Sequence, residues 1–171
     1  MLVQSFPPIL CPQPKALILG SMPGQRSLEM RQYYAHPKNS FWRIMGEICA
    51  ARLELPYAER ISALQRAGLA LWDVLEFCER LGSLDGNIQA SSEKANDIAG
   101  MLRQYPTIQA IGFNGGKAWA AFRRLVLPQI NPETAARLEF HPLPSTSPAN
   151  AGQSYDQKLG RWQVMEKYLS S

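Results

Sequence analysis

Residues 16–24 read ALILGSMPG, and the way this string runs and stops decides the fold. Ala16 to Leu19 is apolar without alternation, too continuous for a strand with one wet face and suited to one covered on both sides. Gly20 and then Pro23 and Gly24 end it. Comparable runs recur at Leu69 to Val74, Ile108 to Phe113 and Leu138 to Leu143. Between them the apolar residues fall at helical spacing. Phe41, Ile44, Met45 and Ile48 share a face, as do Ala95, Ile98, Ala99 and Leu102, then Trp119, Phe122 and Leu125, and finally Tyr155, Leu159, Trp162 and Leu169. Tyr57, Ile61 and Leu64 suggest one more short helix. Strands alternating with helices predict an α/β fold with a parallel or mostly parallel sheet covered on both faces. Ligands of such folds sit at the carboxyl ends of the strands.

The chain has 171 residues, 46% hydrophobic and 19% charged, a length that predicts one domain spanning residues 1–171. No apolar run reaches 18 residues, and Met1 to Pro14 has no basic region ahead of its apolar residues, so a cytoplasmic protein without a membrane partner is expected. Cys11, Cys49 and Cys78 are odd in number and widely separated, which argues for free thiols over a disulfide framework or CxxC pair. The net charge of +4 is mild, but it is unevenly placed. Residues 15–52 hold six Lys/Arg against Glu29 and Glu47, residues 53–97 hold four against eight acids, and residues 98–171 hold eight against four. If the fold joins the outer thirds, one face is basic and attracts a polyanion.

Three strand ends run into polar or glycine-rich segments: LGSMPGQRSLEMRQYYAHPKNSFW (19–42), GFNGGKAW (112–119) and HPLPSTSPAN (141–150). Each has a plain structural reading. Gly20, Pro23 and Gly24 turn the chain. Asn39 or Ser40 caps the helix opening at Phe41. Gly115, Gly116 and Lys117 precede a helix, where amides favour an anion, yet the string is neither a Walker loop nor GxGxxG. Ser145, Thr146 and Ser147, flanked by prolines, form either a surface turn or a rigid collar that contacts phosphate. His36 and His141 lack the spacing of a zinc site, and no GxSxG elbow supports a hydrolase triad, so neither metal nor cofactor is expected. A glycosidase carboxylate pair also finds little support, because the strand-end segments contain only Glu29, while Asp73 and Glu76 belong to the second strand region. What remains is a pocket of amides, hydroxyls and aromatics, suited to a flat polar group held by stacking and hydrogen bonds.

GSMPG (20–24), QYYAHPKNSFW (32–42) and LPSTSPAN (143–150), with the intervening ALWDVLEFCERLGSLDGNI (70–88), together resemble the uracil-DNA glycosylase superfamily, most closely its hypoxanthine-DNA (deoxyinosine) glycosylase branch. The resemblance implies a three-layer αβα sandwich around a four-stranded, mainly parallel sheet, and a monomeric enzyme that removes a deaminated base from double- or single-stranded DNA. Where sister branches carry an Asn or Asp in the first motif this chain has Met22, which cannot orient a water. The resemblance moves that catalytic role to Asn39. It gives Tyr34 as the aromatic that stacks on the flipped base, Ser145 as a contact to base or water, and Ala149 and Asn150 as the wedge region, although alanine is a poor wedge.

On this reading the target nucleotide is extruded, Tyr34 stacks on it, and groups at Gly20, Ser21 and Met22, with Asn114 and Ser145, line the base pocket and read the edge that separates hypoxanthine from adenine. Ser145, Thr146, Ser147, Lys38 and Lys117 would hold the DNA backbone. Three alternatives stay open: a Schiff-base lyase using Lys38, a non-catalytic module that binds damaged bases, and a nucleotide enzyme acting on small molecules.

Overall fold

The computed structural model describes residues 1–170. In chain order the elements are β1 (Leu2–Gln4), β2 (Ala16–Gly20), α1 (Gln25–Met30), α2 (Phe41–Cys49), α3 (Tyr57–Arg66), β3 (Leu69–Asp73), β4 (Leu75–Arg80) and β5 (Ile88–Ala95). They continue with α4 (Ile98–Gln104), β6 (Ala110–Asn114), α5 (Gly116–Leu125), α6 (Pro132–Arg137), β7 (Glu139–Leu143) and α7 (Tyr155–Trp162), the last running into a 3-10 turn, Gln163–Tyr168. Four strands form a parallel sheet in the order β3-β2-β6-β7. All five residues of β2 and of β6 are buried, as expected for central strands with helices on both faces.

The alternation along β2 divides the core. Leu17 and Leu19 pack with Ile111, Phe113, Ile98, Leu102 and Phe122, the layer of α4 and α5. Ala16 and Ile18 face Phe41, Ile44, Leu64 and Trp162, the layer of α2, α3 and α7. Helix layers therefore flank the sheet, and the expected αβα sandwich is the observed one. Each large side chain so buried contributes about 1.5–3 kcal/mol. Trp42 also directs the loop before α2, donating from Nε1 to the Tyr33 carbonyl at 2.9 Å.

The sequence reading did not separate out a second sheet, the antiparallel set β1-β4-β5. Its hairpin follows β3 at once, and the Asn96 side chain fastens the junction by donating to the Asp73 carbonyl at 2.8 Å. Ala95, assigned by spacing to a helix face, ends β5 instead, and α4 begins at Ile98 with Asp97 as its cap. Among the described residues no helix is long and apolar enough to cross a membrane.

Candidate active site

The strand ends of a parallel sheet meet along one edge. Gly20 closes β2 in register with Asp73 of β3, and Asn114 closes β6 in register with Leu143 of β7. Close approach explains the glycine. A Cβ on residue 20 would lie 2.5 Å from Asp73 Oδ1 and 2.7 Å from the Tyr34 hydroxyl, so any side chain would displace both. Residues 20, 34 and 73 thus converge on one point.

Tyr34 has φ of +54°, a left-handed conformation that costs a non-glycine residue about 1–2 kcal/mol. Packing enforces it. The ring stacks on Phe41, centroids 4.1 Å apart and planes 30° apart, and Phe41 is fully buried at the start of α2. The Tyr34 hydroxyl is buried with no hydrogen-bond partner; the Asp73 carboxyl and the Asn114 carboxamide are its polar neighbours. Burial, then Asp73, raises its pKa above the ordinary phenol value, so the hydroxyl stays neutral.

Asp73 is 3% exposed, and its Oδ2 has no partner either. Burial pushes its pKa up to about 7; the neighbouring Asp85 carboxylate adds to the rise and the Arg80 guanidinium opposes it. Asp85 stands on the exposed β4–β5 turn, yet its carboxylate reaches inward to accept from Ser21 Oγ at 2.7 Å. Its pKa is also raised by burial, against the Ser21 bond and the charge of Arg80. Arg80, buried at the end of β4, donates from Nη2 to the Pro23 carbonyl at 2.5 Å. A single buried guanidinium thus accompanies two desolvated carboxylates, and Asp73 is the one that holds a proton near neutral pH. The sequence reading set Asp73 aside as part of a strand; the register puts it at the strand's end, inside the site. A lone carboxylate in an otherwise apolar run was the available signal.

Asn39 and Tyr34 meet at Phe41. Tyr34 stacks on its ring, while Asn39 Oδ1 accepts from its amide at 2.9 Å in a turn just ahead of α2. The N-cap of α2 is Ser40, whose side chain makes no cap bond, so Asn39 serves the helix start through this turn bond to the Phe41 amide and not as the expected cap. The bond leaves Nδ2 without a hydrogen-bond partner among the described residues. The next residue, Ser40, donates its amide to the Thr146 carbonyl at 3.0 Å, which holds this segment against the collar.

The collar differs from expectation. Asn114, assigned to base reading, donates from Nδ2 to Thr146 Oγ1 and accepts at Oδ1 from the Thr146 amide, both at 2.9 Å. Both polar atoms are engaged, so Asn114 is a staple. Thr146, assigned to DNA backbone, is 1% exposed with its hydroxyl in that staple, and it is too deep to meet a phosphate. Ser145 Oγ accepts from the Ser147 amide and Ser147 Oγ from the Ala149 amide, each at 3.2 Å, while Asn150 Nδ2 donates to the Ser145 carbonyl. Gly115, at φ of +94°, lets Ser145 come close; a Cβ there would be 3.1 Å from that of Ser145. Lys158 of α7 is buried, and its amine reaches the Ser147 carbonyl at 3.4 Å, a cation under the collar that helical spacing alone could not single out.

Lys117 is paired with Glu93 of β5, which also holds Arg124, so it is not a free phosphate ligand. Met22 packs in the core beside the hairpin, leaving its main chain alone to serve a pocket. Lys38 and Ala149 are both exposed.

The strand ends of this α/β fold bring together a buried carboxyl, a buried phenol and a stacked aromatic pair, groups suited to a flat polar ligand. Known proteins narrow the class. Residues 7–167 match the family model of the Uracil DNA glycosylase superfamily, and the chain belongs to that superfamily. It is 38% identical over 116 residues to the "Hypoxanthine DNA glycosylase" of Methanosarcina barkeri, covering 67% of this chain and 72% of that protein. A protein of the same description from Methanosarcina acetivorans is 36% identical over 119 residues, covering 69% and 74%. The fold superposes on the solution NMR structure of a candidate uracil DNA glycosylase from Methanosarcina acetivorans with a TM-score of 0.80, 31% identity, and coverage of 98% and 99%. The chain is a DNA glycosylase, and DNA is its substrate.

Proposed function

We propose that this glycosylase is monofunctional and removes deaminated bases, hypoxanthine first, with uracil and xanthine as its nearest competitors, for base excision repair. The observation that carries this is the pair of buried, unpartnered polar atoms at the strand ends, Asp73 Oδ2 and the Tyr34 hydroxyl. Folded proteins leave few such atoms; Arg80 Nε and Nη1 and Arg137 Nε are the others among the described residues, and the two at the strand ends are the ones a ligand beside Gly20 would meet. A protonated carboxyl offers an O–H donor and a C=O acceptor side by side. That pattern matches the N1–H and C6=O of hypoxanthine, and it recurs in the N3–H and C4=O of uracil. A carboxyl can reverse its polarity by moving its proton, so rejection of adenine falls to donors of fixed direction in the Gly20–Met22 main chain.

The extruded base lies on the ring face of Tyr34 opposite Phe41. As the bond from C1′ to the base lengthens, negative charge grows on the base and positive charge on the sugar. The free Nδ2 of Asn39 donates to the departing base or orients the attacking water, an interaction stronger in the transition state than before it. Lys38 and Ser147, with the charge of Lys158 beneath, steady the phosphates. The names of the two Methanosarcina relatives support hypoxanthine as the base.

An end-labelled duplex with one deoxyinosine or one uracil, incubated with the protein in EDTA and then treated with alkali, tests the reading. Breaks that appear after alkali are expected. Breaks without alkali would mean a lyase, and breaks at neither base after alkali would overturn the proposal.

A further inference from the structure

A nucleotide that leaves a duplex leaves a gap, and proteins that distort DNA fill such gaps with apolar side chains. The collar has little to offer: Ala149 presents one methyl group, and the Asn150 carboxamide is engaged with Ser145 and Gln153. The other rim of the site is different. Leu81 is 73% exposed and Leu84 54% exposed on the turn between β4 and β5. A single exposed leucine is ordinary. Here, among seven large exposed hydrophobic residues in the described chain, Met1, Leu2, Leu81 and Leu84 share one end of the hairpin sheet, since Leu2 pairs with Glu79 and the Met1 carbonyl accepts from the Arg80 amide. Clustering of this kind marks a contact surface.

The turn is fastened to the site. Ser83 Oγ accepts from the Gln25 amide at 2.7 Å, Asp85 accepts from Ser21 Oγ at 2.7 Å, and Arg80 holds the Pro23 carbonyl. Leu84 therefore stands between two anchored residues, one of which bonds a residue of the base pocket. Within the turn, Asn87 donates its amide to the Leu84 carbonyl at 3.0 Å and its side-chain Nδ2 to the Leu81 carbonyl at 3.1 Å, which keeps both leucines on one stiff loop.

We propose that Leu84, assisted by Leu81, is the wedge that enters the DNA stack when the target nucleotide swings out, so that the plugging group comes from the β4–β5 turn and not from the collar. This rests on the base-excision reading above. The wedge matters when a stacked, paired base must be displaced, and it is dispensable on a single strand.

The test uses the full chain, unmutated and as Leu84→Ala, Leu84→Met and Leu81→Ala/Leu84→Ala. Each acts on one oligonucleotide carrying the base the unmutated protein releases, as a duplex and as a single strand. The double variant is expected to lose about tenfold or more of its duplex rate while staying within about twofold on the single strand, and Leu84→Met to keep the duplex rate. Melting temperatures should not change, because both side chains are exposed. An unchanged duplex-to-single-strand ratio in the double variant overturns the wedge. So does an equal loss on both substrates, which would mean that the turn supports the pocket through Asp85. An unmutated protein active on single strands alone overturns it too. An unmutated protein that releases no base from either substrate fails the excision reading itself, before any variant is made.

Discussion

The two sides of the strand-end site handle their polar groups in opposite ways. On the collar side, Asn114 and Thr146 satisfy each other through two bonds of 2.9 Å, and the serine hydroxyls close their own turns. On the Gly20 side, the Tyr34 hydroxyl and Asp73 Oδ2 are equally deep and bond to nothing. A buried polar pair holds a loop in shape, whereas a buried polar atom left over is costly and calls for an explanation, which on the Gly20 side the proposed base supplies. The collar's side chains thus hold a loop in shape, while the Gly20 side keeps polar atoms that no protein group engages.

The sharpest way to break this contrast is Asn39→Asp. Aspartate keeps the acceptor that meets the Phe41 amide but loses the Nδ2 donor. Excision is expected to fall about 100-fold or more with stability within about 1 kcal/mol of the parent. Single-turnover rates and melting curves check it, and a near-normal rate would reduce Asn39 to its turn bond. Next, Asn114→Ala should destabilise the fold by about 2–3 kcal/mol, since it strands the Thr146 amide and hydroxyl. Excision by the molecules still folded should fall less than about tenfold, as read by denaturant titration beside rates at low temperature. A large loss of rate at normal stability would return Asn114 to the list of base readers.

Asp73 gives the finest test, through pH. Its folded pKa, about 7, lies above that of an unfolded aspartate, so the folded state binds the extra proton more tightly. Its contribution to stability is fully present below the unfolded value of about 4, declines as the pH rises through about 7, and is flat beyond. If the neutral carboxyl reads the base, excision falls over the upper part of the same window. Asp73→Asn, neutral at every pH, should flatten both profiles and keep activity at pH 8. A wild-type rate that holds steady from pH 6 to pH 8 would detach base reading from the Asp73 proton.

The parallel sheet was legible because both its faces are covered, and that demand writes unbroken apolar runs such as Ala16 to Leu19. The hairpin sheet was not. No residue of β5 is buried, the strand shifts register against β4, and Ala95 fits a helical spacing with Ile98, Ala99 and Leu102 as well as it fits a strand end. In the site, glycines and the Tyr34 to Asn39 segment stood out, since a close approach and a turn leave local signatures. Partners did not. Nothing near Lys117 announces Glu93, nothing near Asn114 announces Thr146, and that Asp73 lies at the mouth follows from a register fixed only when β3 pairs with β2.

The left-handed backbone at Tyr34 carries a consequence for how a guest is received. A residue wedged into an uncommon conformation and clamped ring to ring has few alternative rotamers to give up, so the ordering entropy of this shelf is settled during folding and not on contact with substrate. Free and DNA-bound forms should differ little there, and adaptation should fall to the DNA itself.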